Sequence, residues 1–283
     1  MAIIETQNLS YMYPGASKPS ISDVSLKVEK GEFVLITGPS GCGKTTLCRC
    51  FNGLIPHFYQ GELSGEVIVD GKDITKLQTH EMAKHVGLVF QNPENQLFAL
   101  SIEKDVAFGL ENLGFSREEM RKRVDWALNL TGIYDLRERS PHEVSGGQQQ
   151  RVAIAAVLAM QPEIIVLDEP TSFLDPLSAE KIFQVIYELN QTLGITVVLV
   201  EHRLDLTAKY ANHIVIMDEG KVCSDGETRK ILSNEETRLI GVGIPKATLL
   251  YKMLEKERMT LGDITPLSSE EMITQLLEAF SQR

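Results

Sequence analysis

Gly38-Pro39-Ser40-Gly41-Cys42-Gly43-Lys44-Thr45 gathers three glycines, a lysine and two hydroxyls into one short segment. Glycines let a backbone fold closely round an anion with its N–H groups pointing inward. A helix starting at the same place adds positive potential. The spacing is that of a P-loop, in which Lys44 reaches the β- and γ-phosphates of a nucleotide and the Thr45 hydroxyl ligates Mg²⁺. The candidate contacts are therefore Gly38, Pro39, Ser40, Gly41, Cys42, Gly43, Lys44, Thr45 and the adjoining Thr46.

A second cluster lies far downstream. Ile164-Ile165-Val166-Leu167-Asp168-Glu169 is four apolar residues ending in two acids. A carboxylate that ends a buried parallel strand sits where open α/β sheets bind ligands. Asp168 can hold Mg²⁺, through water. Glu169 can orient and polarise an attacking water. Phosphoryl transfer leaves a protein mainly positioning and charge stabilisation to supply, so one such carboxylate matters greatly.

The third string is Val144-Ser145-Gly146-Gly147-Gln148. It closely resembles the signature of ATP-binding cassette ATPases, which combine it with a P-loop upstream and an acid-ended strand downstream. As a physical device it reads as a second phosphate clamp: Ser145 caps a helix running to Met160, and Gly146 and Gly147 expose its first amides. Val144 stands where leucine is usual, apolar for apolar. The resemblance covers roughly residues 2–230 and implies further sites. Gln91 matches the loop glutamine that touches Mg²⁺, and His202 the histidine that contacts the γ-phosphate. Ser172-Phe173-Leu174-Asp175 matches the loop that signals between two sites. Tyr13 matches the aromatic that stacks on adenine, with Tyr11 as its rival. Catalytic work then falls to Lys44, Glu169 and His202. The P-loop of one such subunit faces the signature of another, so the resemblance implies a second ATPase subunit, either a copy or a similar chain.

These groups need rigid elements to hold them. Residues 3–7, 25–28 and 65–70 alternate and read as strands, and 33–37, 164–167 and 195–200 read as buried strands. The pattern turns helical from about residue 93 to 160, where Ser116 with Glu119 forms a capping box for a helix through Trp126 and Leu130. Strand, helix (178–193) and strand make a crossover unit of a parallel sheet, and 213–217 with 221–223 flank the turn Asp218-Glu219-Gly220. The fold expected is α/β. It has a P-loop NTPase core, an antiparallel β subdomain and an inserted α-helical subdomain at about 93–160, all within residues 1–230. Residues 231–283 form a helical extension. In it, Leu249, Leu250, Met253 and Leu254 share one helical face, and Ser268 with Glu271 opens a second helix bearing Met272, Ile273, Leu276, Leu277 and Phe280. The apolar faces pack either on their own chain or on a partner in a dimer, since periodicity does not name the partner.

Composition narrows the class. Hydrophobic residues are 43% and charged residues 24% of the 283, enough for an ordinary core. A net charge of −11 argues against a nucleic-acid partner. Arg117, Arg121, Lys122 and Arg123 lie among acids and read as a solvated helix face. Cys42, Cys48, Cys50 and Cys223 fit neither a disulfide framework nor a zinc site. Met1 to Glu5 carries no signal-peptide features, and no run approaches the ~18 apolar residues of a membrane span. A location at the cell membrane, peripheral on its cytoplasmic side, thus requires other chains as anchors. Soluble cassette proteins acting on DNA or the ribosome usually carry a long coiled-coil insertion or two cassettes, and neither is present.

Finer features are similar to one branch, the ATPase subunits of energy-coupling factor importers. They are Gln91-Asn92-Pro93-Glu94-Asn95-Gln96-Leu97-Phe98, Glu103-Lys104-Asp105-Val106-Ala107-Phe108-Gly109, Asn52-Gly53-Leu54-Ile55-Pro56-His57-Phe58 and Glu201-His202-Arg203-Leu204-Asp205. The two-helix tail is similar as well. That resemblance implies uptake of a vitamin, cobalt or nickel, a transmembrane coupling subunit and a substrate-binding membrane subunit. Residues 91–108 would help form the docking groove for a coupling helix, with Leu97, Phe98 and Leu100 as apolar contacts. Packing inside the helical region is the competing reading for these three.

Overall fold

A computed structural model describes residues 2–234, 237, 240–257, 259 and 261–281. Two sheets organise the first part of the chain. An antiparallel sheet contains β1 (Ala2–Met12), β2 (Ile21–Glu29), β4 (Glu62–Val69) and β5 (Lys72–Asp73), in the order β2-β1-β4-β5. A six-stranded sheet contains β3 (Phe33–Thr37), β6 (Val86–Val89), β7 (Ile164–Asp168), β8 (Thr196–Val200), β9 (His213–Asp218) and β10 (Lys221–Glu227). Its order is β10-β9-β3-β8-β7-β6, parallel except for β10.

The central strands β3, β7 and β8 are buried at every position because both faces are covered, and polar residues stand only at their ends. Val34, Ile36, Val166 and Val198 face the antiparallel sheet and α1 (Lys44–Phe51). Phe33, Leu35, Leu167 and Leu199 face the opposite layer of helices. Those helices are α4 (Ile102–Asn112), α5 (Arg117–Leu130), α6 (Gly146–Met160) and α7 (Pro176–Leu193). Short helical turns are α2 (Leu54–His57) between α1 and β4, α3 (Thr79–Met82) between β5 and β6, α8 (Leu204–Thr207) between β8 and β9, and α9 (Thr228–Leu232) after β10. Ser116 caps α5 by accepting from the Glu119 N–H at 3.3 Å. Asp175 caps α7, and Gly194 in the left-handed region ends it.

One strand escapes periodicity. β6 is only Val86-Gly87-Leu88-Val89, too short and too uniformly buried to alternate. It is the edge strand whose end delivers Gln91. Gln96 pins that end, accepting from the Phe90 N–H at 3.2 Å and donating to the Leu88 carbonyl at 3.0 Å. Leu97 belongs to the interior at 5% exposure, whereas Phe98 and Leu100 are 62% and 83% exposed. The groove expectation is thus corrected for Leu97, which packs inside the helical layer because it follows directly on this pinned corner.

The tail forms α10 (Lys246–Lys256) and α11 (Ser269–Ser281). Ala247, Tyr251 and Met272 pack the pair together. Ser268 Oγ accepts from the Glu271 N–H at 3.2 Å, while the Glu271 carboxylate takes the Leu267 N–H at 2.9 Å and the Arg229 guanidinium at 2.8 Å. The Lys246 N–H donates to Asp205 at 2.7 Å. Part of the apolar surface is thus satisfied within the chain, and Leu250, Met253, Ile273, Leu277 and Phe280 stay exposed.

His213 opens β9 with Glu32 at 3.2 Å from Nδ1 and Asp225 against Nε2. The Asp225 hydrogen bond, helped by Glu32 and opposed by burial, raises the imidazole above its ordinary 6.5. A raised folded value means the pair stabilises fully below about pH 6.5 and that this contribution fades as pH climbs through the folded pKa. His213→Gln should accordingly lower the urea midpoint more at pH 5.5 than at pH 9. Equal losses at both would show that the imidazolium contributes nothing.

Candidate nucleotide site

The P-loop joins β3 to α1, and its glycines are dictated by contacts. Gly38 has φ 146°, and a Cβ there would lie 2.0 Å from the Met217 carbonyl oxygen. Gly43 has φ 104°, and its Cβ would lie 2.5 Å from the Ser20 carbonyl oxygen. No side chain fits either position. Lys44 follows at 5% exposure, and its Nζ donates to the carbonyls of Gly38 at 2.9 Å and Pro39 at 2.8 Å. Among the described residues it has no carboxylate partner. A buried cation met only by two carbonyls and the Cys42 sulfur at 3.7 Å is a position that an anion would occupy favourably.

β7 delivers Asp168 and Glu169 side by side. Asp168 is 3% exposed, and its Oδ1 has no hydrogen-bond partner. Burial raises its carboxyl, against the Thr45 hydroxyl, which lowers it. Thr45, Gln91 and Asp168 line one cleft of about 460 Å³ with Asn92, Asn95 and Arg49. An orphaned buried carboxylate oxygen, a hydroxyl and an amide oxygen are a donor set suited to Mg²⁺.

Glu169 sits at φ 48°, in the left-handed region that a glutamate adopts at a cost of order 1–3 kcal/mol. The loop holds it there: its N–H donates to the Val200 carbonyl at 3.0 Å, and its carbonyl accepts from Ser172 Oγ at 3.0 Å. The carboxylate accepts from Gln91 Nε2 at 2.7 Å and contacts His202 Nε2 at 3.0 Å. Three groups from the ends of three neighbouring strands, β6, β7 and β8, thus meet at one point.

The signature string starts α6. Ser145 Oγ accepts from the Gln148 N–H at 3.4 Å, and Gln148 Oε1 accepts from the Ser145 N–H at 2.9 Å, a closed capping box. A Cβ on Gly147 would lie 3.1 Å from Leu174, so the glycine lets the 172–175 loop come close. Ser145, Gly146, Gly147, Gln148 and Asp175 line a cleft of about 620 Å³ together with Arg151. Asp175 accepts from the Leu177 and Ser178 N–H groups at 3.1 and 3.0 Å, and the Ser178 hydroxyl foremost, then its N–H, lowers the carboxyl. This cleft shares no lining residue with the Asp168 cleft. The structure therefore brings Gln91, Glu169 and His202 together and groups the signature with Asp175, but leaves the two groups apart.

The two tyrosines differ in kind. Tyr11 is 0% exposed, with its hydroxyl donated to the Gln60 carbonyl at 2.8 Å, so its ring faces are spent on packing. Tyr13 is half-buried, edge-on to Tyr11 with centroids 4.8 Å apart, and its hydroxyl lies 3.4 Å from Thr46 Oγ1. Arg49 donates to that hydroxyl at 2.9 Å and stacks on Tyr59 at 4.3 Å. Motif reading passes over Arg49 and Thr171, and it includes Glu201 in a family string without giving it a role. Arg49 looks like an ordinary helix residue in sequence, and Glu201 signals only by being an acid inside an otherwise apolar strand end.

A parallel sheet with a glycine loop, a lysine and paired acids at its carboxyl ends defines the class as a P-loop nucleotide hydrolase. Residues 21–172 match the family model described as ABC transporter. The chain is 45% identical to a protein of Pyrococcus abyssi described as an ABC transporter ATP-binding protein, over 98% of each. A longer Methanosarcina mazei protein of that description is 48% identical over 86% of this chain and 41% of its own length. The energy-coupling factor transporter ATP-binding protein of Methanococcus maripaludis is 45% identical over 91% of each. Among solved structures, CbiO1 of Clostridium perfringens, part of the ABC transporter complex CbiONQ, superposes with a TM-score of 0.73 at 34% identity, over 89% of this chain and 98% of that one. The dimeric cassette MJ0796 bound to ADP and phosphate gives 0.72 at 32% identity, over 80% and 99%. The chain belongs to the ABC transporter family. It is an ATP-binding subunit, an ATPase coupled to transport.

Gly38→Ala should fail to bind ATP and should lose more than about 2 kcal/mol of stability, because both the positive φ and the Met217 carbonyl oppose a Cβ. Equilibrium unfolding and retention of a fluorescent ATP analogue check this, and retention of wild-type affinity would contradict it.

Proposed function

We propose that this chain is the ATP-hydrolysing subunit of an energy-coupling factor type importer, working as one of two paired cassettes to power uptake of a vitamin, cobalt or nickel. The observation that carries the ATPase part is the convergence of Gln91 and His202 on Glu169, at 2.7 and 3.0 Å, beside an unpartnered Asp168 oxygen. Similarity to the Methanococcus maripaludis and Clostridium perfringens proteins supports the importer type. Exposed Phe98 and Leu100, with Phe108 in edge contact with Phe98 at 4.7 Å, support an apolar groove for the coupling subunit. That subunit joins a substrate-binding membrane subunit. No helix among the described residues is long and apolar enough to cross a membrane, so we place the chain peripherally, on the cytoplasmic side, through these partners.

The P-loop amides of residues 38–46 wrap the phosphates, and Tyr13 receives the adenine. Lys44 exchanges its carbonyl contacts for the β- and γ-phosphate oxygens. Thr45, Gln91 and Asp168 would hold Mg²⁺, which would supply positive charge against the phosphates. Glu169 orients the attacking water and accepts its proton, with the carboxylate oxygens already aimed by Gln91 and His202. His202 meets the γ-phosphate. Ser145, Gly146, Gly147 and Gln148 of the mate clamp the same γ-phosphate from the other side, and Asp175 lies at the seam. The mate is a second copy or a similar chain. The paired MJ0796 cassettes with ADP and phosphate bound support this arrangement.

Glu169→Gln should lose turnover by at least about 10²-fold while retaining ATP, because an amide keeps the shape and removes the base. Lys44→Ala should lose ATP retention itself. Normal hydrolysis by Glu169→Gln would remove Glu169 from its assigned role. Recovery from membranes with a small substrate-binding membrane protein tests the importer type, and recovery with an exporter subunit would refute it.

A further inference from the structure

Glu201 is a carboxylate for which the mechanism above has no use. It is 4% exposed and directly precedes His202. A buried carboxylate is costly unless each oxygen is engaged. Here Oε2 accepts the His202 N–H at 2.7 Å and the Arg203 N–H at 3.4 Å. Oε1 accepts from the Thr171 hydroxyl and lies 3.4 Å from Arg203 Nε. Arg203 Nη2 closes the ring, donating to the Thr171 carbonyl at 2.6 Å and to its hydroxyl. Thr171 is itself fully buried and stands two residues beyond Glu169. The Glu201 N–H is tied at 3.2 Å to the Ile36 carbonyl of β3, the strand that leads into the P-loop.

We propose that Glu201 is a positioning residue for His202, holding its backbone through the N–H and fastening that loop to the Glu169 loop through Thr171. The inference rests on the reading of His202 given above and deepens it. Glu201 touches no reacting atom. Its effect is geometric: hydrogen bonds to an ionised acceptor are short and directional, and they fix where the imidazole can reach. Displacement of a reacting group by about 1 Å costs on the order of 10²-fold in rate. Because both loops hang on one carboxylate, His202 and Glu169 keep their 3.0 Å register as a unit.

The test is a set of mutant cycles on the full chain, with steady-state phosphate release measured from Mg-ATP. Glu201→Ala should lower kcat by roughly 10²-fold and leave the KM for ATP within about twofold, since the defect is in orientation rather than binding. Thr171→Val keeps the buried shape, removes the hydroxyl with its bonds to Glu201 and Arg203, and should lower kcat by about three- to tenfold. Both losses should shrink to a small fraction when His202 is already alanine, because the group being positioned is gone and only the Thr171 link to the Glu169 loop remains. The same fractional loss in the His202→Ala background would overturn the proposal and make Glu201 merely structural. So would an unchanged kcat with only a lowered Tm. If Glu201→Ala does not fold, the Thr171→Val cycle decides alone. Full turnover by His202→Ala would remove the histidine from the reaction and this proposal with it. Failure of the cycle with an impaired His202→Ala would sink only the part assigned to Glu201.

Discussion

A buried ammonium held by main-chain carbonyls is the constraint on which the rest of the molecule depends. Lys44 cannot be satisfied by a carboxylate without destroying the site, so the loop folds its own oxygens around the charge. That requires Gly38 to pass against the Met217 carbonyl and Gly43 against the Ser20 carbonyl. Those close approaches exist because β9 lies beside β3 and because Ser20, just before β2, sits against Gly43. The sheet order and the glycines are thus two views of one requirement. A cation must be buried, poorly neutralised and reachable by phosphate, and the surrounding hydrophobic packing offsets the cost of keeping it so.

The acidic side of the site carries the complementary difficulty. Asp168 and Glu169 are adjacent in sequence, but alternation at the strand end sends them to different surroundings. Asp168 points inward beside the helix that begins with Lys44. Its burial and its free oxygen are tolerable if a dication completes it. Glu169 turns out through a left-handed backbone and meets Gln91 and His202. The strained turn is what separates the two carboxylates into different roles. It is held by the same strand neighbours that set β7 between β6 and β8.

Much of this was legible in the sequence because it lies in short-range patterns. The apolar runs ending at Thr37, Asp168 and Val200 announced the buried parallel strands, and the spacing of glycines with Lys44 announced the loop. The caps at Ser116 and Ser145 named helix starts to the residue. What stayed hidden depends on tertiary contact. Four residues of β6 carry no period, so no strand is legible before Gln91, which stands out only through the family resemblance. Leu97, Phe98 and Leu100 look equivalent as letters, yet the corner fixed by Gln96 sends Leu97 inward and leaves the other two in solvent. Tyr11 and Tyr13 are likewise indistinguishable until burial separates them. Glu201 bonds across 30 residues to Thr171, a distance no local pattern spans.

The separation of the two clefts is also a statement about energetics. On the proposed function each lies in half of a phosphate site: the Lys44 side would supply the ammonium, the loop amides and the metal ligands, and the Ser145 side the first amides of a capped helix. An anion held by either alone leaves donors of the other unpaired. On the proposed reading, ATP favours the paired form by the difference between one half-site and two, and nothing in the free chain needs to be distorted to reach it. Hydrolysis removes the γ-phosphate, the part both halves share, so the gain that held the pair together is lost at the bond that breaks. The exposed apolar faces of α10 and α11 fit that cycle if they keep the two chains tethered while the clefts part. A tether that survives opening raises the effective concentration of each half-site for the other and makes the next closure an intramolecular event.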